Sequence, residues 1–345
     1  GRRGGRAGAA RPPPGPPVQS FLIREEDRKP KCPPPPPPPA PRTPVSVVIP
    51  AFNEESTIAS TVRHTTLYDP PPHEVIVVDG GSRDRTRERA RAAGARVVTP
   101  GVKGRARQMN YGAKVAGGEY LVFLHADTLA PPDLVSIVNR ALADPRTVLG
   151  GFVPLITLPE RILWGVSAHN LFKSFYLPLT MRPLSYFRGL RLLFGDQVMF
   201  CRRGDFFAVG GFDEACPIME DADLSVKLHA LWSGQAGVAR ILDRRRGRVR
   251  VINRAVSTSG RRIEALGGEM RATGVHFVIG LAWYLWKMGG RGNSPNRIFH
   301  WDFGTFFLWS ECSPRSALGP AGAEVRGAVR EALHRREVMV RRGGG

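Results

Sequence analysis

Cysteine is scarce. The four residues are Cys32, Cys201, Cys216 and Cys312; none forms a CxxC pair, and Cys216 precedes a proline. This argues against a zinc ribbon or a disulfide framework and makes a reducing compartment the default. Long hydrophobic runs are missing too. The best stretch late in the chain, "VHFVIGLAWYLWKMG" from Val275 to Gly289, falls short of the ~20 residues a spanning helix needs. It suits a core helix or an interfacial one. No GxGxxG follows the first strand-like run, so the dinucleotide-binding fingerprint is absent. Acidic residues are outnumbered, 30 against 50 Lys and Arg, for a net charge of +20. Such an excess raises the question of nucleic acid, and its location decides the weight of that reading.

Part of the charge sits at the ends. Residues 1–44 hold nine Lys/Arg against three Asp/Glu, and 15 of the 31 prolines, including the run Pro33 to Pro39. Such a segment cannot bury enough apolar surface to offset its ordering entropy and is expected to be disordered, with polyproline II character. The chain starts at Gly1 rather than Met. An Arg-rich, acid-poor leader fits an organellar transit peptide, plastid or mitochondrial, although serine is scarce in it; a non-functional extension is the plainer expectation. The expected location is therefore cytoplasmic or organellar. Residues 313–345 form a second basic tail of net +4, leaving +10 of the +20 on residues 45–312. That remainder fits an anionic substrate such as a diphosphate.

Between the tails, strand-like and helix-like runs alternate. "VSVVIP" (45–50) and "EVIVVD" (74–79) are β-branched runs of buried-strand type. "ARVVT" is a shorter strand and "YLVFLHAD" another strong one. Helical patterns fill the gaps: "NEESTIASTVRHT", "RDRTRERARAAG", "GRARQMNYGAKVAGG" and, opened by prolines, "PPDLVSIVNRALAD". This alternation predicts an α/β fold with a mostly parallel central sheet flanked by helices. Residues 45–150 form its first half and 151–312 its second. In the second half "PERILWGVSAHNLFKSFYLPL" reads as a partly buried helix. "FGDQVMFCRRGDFFAVGGFDE" reads as strand, short helix and turn. "IMEDADLSVKLHALW" is a helix opening on Glu220 and Asp221, and 247–262 is a late strand followed by a basic loop.

In open α/β sheets ligands sit beyond the carboxyl ends of the strands. Three strands end there in polar groups: Asn53/Glu54, Asp79 and His125/Asp127. A carboxylate such as Asp127 suits a hard cation, Mg²⁺ or Mn²⁺, whose shell substrate phosphates complete. The plainer reading of Asp127 is a cap for the following helix. His125 suits Mn²⁺ better than Mg²⁺, or a phosphate, or only its protein neighbours. Asp79 can accept from a base N–H or a ribose hydroxyl, and Gly80 and Gly81 let a ligand approach the backbone. Lys103, Arg105 and Arg107 stand at a helix entrance, where phosphate binds well. Glu220 and Asp221 are candidates for a base that deprotonates a hydroxyl, although acids at helix starts are common for dipole reasons. "TSGRR" (258–262) can carry Arg261 and Arg262 over a leaving diphosphate.

Together, "VSVVIPAFNEESTI", "EVIVVDGGSRDRT", "GRARQMNYGAKVAGGEYLVFLHADT", "GDQVMFCRRGDFFAVGGFDE" and "MEDADLSVKL" resemble family 2 glycosyltransferases of GT-A fold, from about Val45 to Phe303. The set "GRARQMN", "FLHADT", "GDQ", "MED" and "TSGRR" resembles one bacterial-type subgroup, the radical-SAM/selenodomain-associated transferases sometimes linked to arsenosugar biosynthesis. The resemblance implies a transfer of sugar from a UDP- or GDP-sugar to an acceptor hydroxyl, inverting and dependent on Mg²⁺ or Mn²⁺. Glu54, Asp79 and Gly80 would lie against the donor, with Arg105, Arg107, Asn110 and Arg261. Asp127 would match the last carboxylate of the DxD metal motif, with His125 in place of its first. Asp221 would be the catalytic base, with Glu220 beside it, and Gly195, Asp196 and Gln197 would face the acceptor. Ile263 departs from an aromatic that often follows the paired arginines. The apolar segments 162–179 and 275–288 allow a peripheral membrane contact.

Three rivals are weaker. A sugar-phosphate nucleotidyltransferase is expected to carry a Gly-rich, Arg-bearing loop after the first strand, where "AFNEE" stands. A nucleic-acid binder would account for the charge but not for carboxylates at three strand ends. A catalytically inactive, sugar-binding relative is the third, given His125.

Overall fold

The structure is a computed structural model and describes residues 1, 43–101, 103–216, 219–233, 247–265, 267–275 and 277–278. The proline-rich extension before Thr43, the C-terminal tail and most of the apolar stretch after Val275 lie outside the described residues.

The first half follows the alternation read from the sequence: β1 (Val45–Ala51), α1 (Ile58–Thr65), β2 (Glu74–Asp79), α2 (Thr86–Ala92), β3 (Arg96–Val98), α3 (Arg105–Val115) and β4 (Tyr120–Phe123). The β1, β2 and β4 sequences are apolar without alternation because both faces of a parallel sheet are covered. Val47 and Ile49 enter one apolar cluster, with Val77 and Val122; Val48 enters the other, with Ile76, Val78 and Leu121. Adjacent residues pointing to opposite faces explains the split. Helix α1 buries Ile58, Thr61, Val62 and Thr65, a single face at helical spacing.

The second half comprises β5 (Thr128–Leu129), α4 (Leu134–Ala143), β6 (Thr147–Leu158), β7 (Arg161–Ile162), α5 (Trp164–Met181), α6 (Pro183–Phe187), a 3₁₀ turn Gly195–Gln197, β8 (Met199–Arg202), α7 (Arg203–Ala208), α8 (Glu220–Ser233), β9 (Arg248–Ser259) and α9 (Arg261–Ala265). Here the structure departs from the reading in two places. Strand β6 was not foreseen, since "TVLGGFVPLITL" carries Gly150, Gly151 and Pro154. Its pairing with β9 shifts register between Phe152 and Val153, which absorbs the irregularity. Gly150 is required because a Cβ there would stand 2.1 Å from Phe200 Cζ. The helix expected from Pro159 begins only at Trp164, because Arg161–Ile162 folds back on β6 as β7.

The strand order is β3-β2-β1-β4-β8-β6-β9-β5, with β7 on β6. Pairs among β3, β2, β1 and β4 are parallel. Beyond β4 the sheet is mixed: β8 is antiparallel to both neighbours, β6 and β9 are parallel, and β5 is antiparallel to β9. Strands β4 and β5 lie four places apart in this order, which in a flat sheet is ~19 Å at ~4.8 Å per strand. Only Leu124–Asp127 connect them, and that link is bent by a turn in which Thr128 N donates to His125 O at 3.2 Å. The sheet must therefore curl, which brings the end of β9 over the ends of β1 and β4.

Candidate active site

Asp79 ends β2 with no solvent exposure. Its Oδ2 accepts from Gly81 N at 3.1 Å and Ser82 N at 3.0 Å, while Oδ1 is buried with no partner among the described residues. A buried acceptor left open is costly unless a donor reaches it, and a base N–H or ribose O–H would serve. The loop after β1 is tied to this one: Asn53, at φ 53°, donates from its N to Ser82 Oγ and accepts at Oδ1 from Arg83 N. Gly80 also has a packing part within the protein. A Cβ there would meet Gln108 Nε2 at 3.0 Å, and Gln108 donates to the carbonyls of Ala51 and Val78, each at 2.8 Å. The glycine makes room for a glutamine that clamps the two strand ends.

Glu54, Asp127 and the arginines after β9 form the second group. Arg261 Nη2 donates to Glu54 Oε2 at 2.9 Å and Arg262 Nη2 to Glu54 Oε1 at 3.1 Å. Arg261 Nη1 also reaches Ser56 Oγ at 2.9 Å, and its Nη2 lies 3.8 Å from Asp127 Oδ2. Burial pushes the Asp127 carboxyl up, against the pull of Arg262 and Arg261. Ile263 explains its departure from an aromatic: it is buried with Ile156, Leu163 and Val166 and anchors α9 beneath the arginines.

The third group joins His125 to the acids of α8. A Cβ on Gly195 would fall 2.4 Å from His125 Nε2 and 3.6 Å from Arg105 Nη1, so the ring occupies the space that the glycine leaves. His125 Nε2 is buried without a hydrogen-bond partner among the described residues, and burial, with Arg105 and Arg262 adding to it, holds the imidazole neutral. Gly195 N donates to Asp221 Oδ2 at 2.7 Å, and Ala222 N to Asp221 Oδ1 at 2.8 Å. Arg105 Nε donates to Glu220 Oε1 at 2.5 Å, and its Nη2 stands 4.0 Å from Asp221 Oδ2. Burial raises the Glu220 carboxyl against the opposing charge of Arg105. Two non-glycine residues beside this group hold left-handed backbone, Val198 at φ 50° and Met219 at φ 67°. Such strain persists only where the surroundings over-determine it, and it gathers at functional sites.

The remaining expected residues divide. Asp196 lies in the site: Asn170 Nδ2 donates to its Oδ2 at 2.5 Å, and burial raises its carboxyl against the pull of Lys173. Gln197 is fully buried and structural, bonded to Phe194 N and Ser174 Oγ. Asn110 is structural as well. Its amide bridges both the N and the O of Phe212 and reaches Glu214. Arg107 pairs loosely with Glu214 at 3.6 Å, half exposed. Lys173 was missed. Its Nζ stands 3.8 Å from the centre of the Phe194 ring, and burial lowers its ammonium against the pull of Asp196 and Asp221. Its signal, one lysine in an apolar helix, shows only once α5 is placed over the turn.

The described residues contain no group of three or more His, Cys, Asp or Glu that could hold a metal ion. A cation here would need substrate oxygens beside Asp127. The donor chemistry fits that arrangement: one buried carboxylate whose nearest cation is an arginine at 3.8 Å, and near it a neutral imidazole with an open nitrogen.

A curled mixed sheet flanked by helices, with carboxylates beyond the strand ends, is a GT-A-like α/β fold. Residues 46–207 match the model of Glycosyl transferase family 2. The chain is 31% identical over 225 residues to a validoxylamine A glucosyltransferase of Streptomyces hygroscopicus subsp. limoneus, covering 54% of this chain and 48% of that protein. It is 37% identical over 149 residues to a glucosyl-3-phosphoglycerate synthase of Mycobacterium tuberculosis, covering 41% of this chain and 39% of that one. The chain thus spans half the length or less of these curated relatives. Among solved structures, a mannosyltransferase from Pyrobaculum calidifontis in complex with GDP-Man and Mn²⁺ is similar at a TM-score of 0.51 and 20% identity, covering 86% of this chain and 82% of that one.

Proposed function

We propose that this protein transfers a sugar from a UDP- or GDP-sugar to an acceptor hydroxyl by a single inverting displacement. One observation carries the reading: one network runs from Glu54 through Arg261 to Asp127 and, two residues back along the backbone, from His125 through Gly195 to Asp221 and Arg105. It joins donor-type groups at the strand ends to a carboxylate suited to act as a base. Asp221 receives one backbone N–H on each oxygen, which fixes its orientation and leaves a further lone pair on each for the acceptor proton. The hydroxyl, deprotonated as it attacks, forms the new bond to the anomeric carbon while the nucleoside diphosphate departs with the bonding pair. Arg105, Arg261 and Arg262 oppose the charge that builds on the diphosphate. Asp127 would hold Mg²⁺ or Mn²⁺, with His125 beside it; the cation supplies charge neutralisation to the leaving group. Asp79 Oδ1 takes the nucleoside.

The relatives support the donor class, since one solved neighbour holds GDP-Man with Mn²⁺. The finer likeness, to radical-SAM/selenodomain-associated transferases, belongs to the same proposal and rests on "GRARQMN", "FLHADT", "GDQ" and "TSGRR" occurring together. A peripheral membrane contact belongs to it too, and its surface is argued below. The test is a thermal-shift panel of UDP, GDP and their sugars, with Mn²⁺ and with chelator. A ligand at 100 times its Kd stabilises by about 2.7 kcal/mol, a rise of roughly 5–10 °C for a domain of this size. A rise seen only with cation supports the reading, and no response to any nucleotide rejects it.

A further inference from the structure

Helix α5 has two faces of opposite use. Asn170, Lys173, Ser174 and Leu177 turn inward, and two of them hold Asp196 and Gln197 by hydrogen bonds. The other face repeats at Trp164, Ala168, Phe172, Phe175 and Leu179, which at 3.6 residues per turn fall within an arc of roughly 80°. Trp164 is 66% exposed, Phe172 62% and Leu179 41%, and on α6 Leu184 is 74% and Phe187 79% exposed. Surface helices place polar residues outward; here the outward stripe is apolar and aromatic.

Within the segment itself the charge has one sign. From Arg161 to Gly195 there is no Asp or Glu, while Arg161, Lys173, Arg182, Arg188 and Arg191 are present. A cavity of about 480 Å³ opens beside the stripe, lined by Tyr186, Phe187, Arg188, Arg191, Arg248 and Arg250. The two are continuous: the Arg191 guanidinium lies 5.4 Å from the Phe175 ring and 4.0 Å from the Tyr186 ring. The cavity lies at the start of β9, whereas the arginines of the site follow its end. A twelve-residue strand separates them by ~35 Å, so the cavity is not part of the donor site.

We propose that the outer face of α5 and α6, with this arginine cavity, docks the protein on an anionic phospholipid bilayer. The aromatic side chains enter the headgroup boundary and the arginines receive lipid phosphates, the pairing by which interfacial helices bind anionic membranes. A basic, aromatic surface, with Glu269 held at the N-terminal end of α5 by Val166 N, favours that occupant over an acidic protein face. The consequence for the reaction is positional: the helix that lies on the lipid carries Asn170 and Lys173 against Asp196 on its other side.

The test is co-sedimentation of the full chain with vesicles of phosphatidylcholine alone and with added phosphatidylglycerol. Wild type is expected to sediment with the anionic vesicles only. Phe172→Ser with Phe187→Ser, and separately Arg188→Gln with Arg248→Gln, are each expected to lower partitioning at least about tenfold. These side chains are at the surface, and the nucleotide thermal shift of each variant reports separately on folding and on the donor site. Unchanged sedimentation of the Phe variant overturns the proposal, since the basic ends of the chain would then be responsible. Equal binding to neutral vesicles overturns it as well. So does block by inorganic phosphate with no effect of the Phe changes, which would mean an anion pocket alone. A concentration-dependent dimer in sedimentation velocity, lost in the Phe variant, would assign the face to a second copy instead.

Discussion

A Cβ at Gly195 would stand 2.4 Å from His125 Nε2 and 2.6 Å from its Cε1, and Gly195 N is one of two donors holding Asp221. Gly195→Ala is therefore expected to cost about 1–3 kcal/mol as overpacking, read from denaturant unfolding. Adding His125→Ala should recover most of that loss, because the pair is coupled by direct contact; simple additivity would show that the ring does not fill the glycine's space. Asp221→Asn should lower turnover by about 10²–10⁴-fold, the usual effect of losing a general base, while the donor thermal shift persists. Near-normal turnover would remove Asp221 from that role. Both residues were legible in the sequence, since a glycine–acid turn and an acid pair opening a helix are local signals. Lys173 and Gln108 were not. Gln108 works through the carbonyl of Ala51, 57 residues away, and Lys173 through a turn brought over it by folding. Asn110 and Gln197 read as ligand-facing because polar residues inside a motif look functional; in the structure Asn110 bonds Phe212 and Glu214, and Gln197 bonds Phe194 and Ser174 of α5.

At the scale of elements, the strands that read clearly were those with one composition throughout. β1, β2 and β4 are mostly apolar runs buried on both faces, while β6 hides behind its glycines and proline and is defined by partners far along the chain. Helix α3 shows how closely element and site are linked. A Cβ on Gly112 would meet Val48 Cγ1 at 2.3 Å and Val78 Cγ2 at 2.9 Å, so α3 lies directly on β1 and β2. The same helix carries Arg105 and Gln108. Gly112→Ala must lift it from the sheet, with an expected loss of about 1–3 kcal/mol and a weaker nucleotide thermal shift in the same variant. Tyr111→Ala, on the half-exposed side of the helix, should stay within about 0.5 kcal/mol and serves as the control. Lost stability with a full nucleotide response would mean that the site does not depend on the seating of α3.

At the scale of the whole molecule, the net charge of +20 invites the expectation that it draws the diphosphate in. The site itself argues otherwise. Its cations, Arg105, Lys173, Arg261 and Arg262, face five carboxyl groups, those of Glu54, Asp127, Asp196, Glu220 and Asp221. The excess lies elsewhere, in the ends of the chain and in the arginines beside α6, where it can act on polyanionic surfaces. A donor diphosphate entering so nearly balanced a site gains little from long-range attraction and much from a local divalent cation. Raising NaCl from about 50 to 300 mM, which shortens the screening length by about 60%, should thus weaken UDP affinity by less than about threefold in the presence of Mn²⁺. Chelation at constant salt should weaken it by more than about tenfold, and binding to single-stranded RNA should fall steeply over the same salt range because many phosphates are engaged together. Isothermal titration with UDP and fluorescence anisotropy with RNA measure the two slopes side by side. If UDP follows the RNA slope and ignores the chelator, the donor is held by the protein's general field rather than by the cation at Asp127.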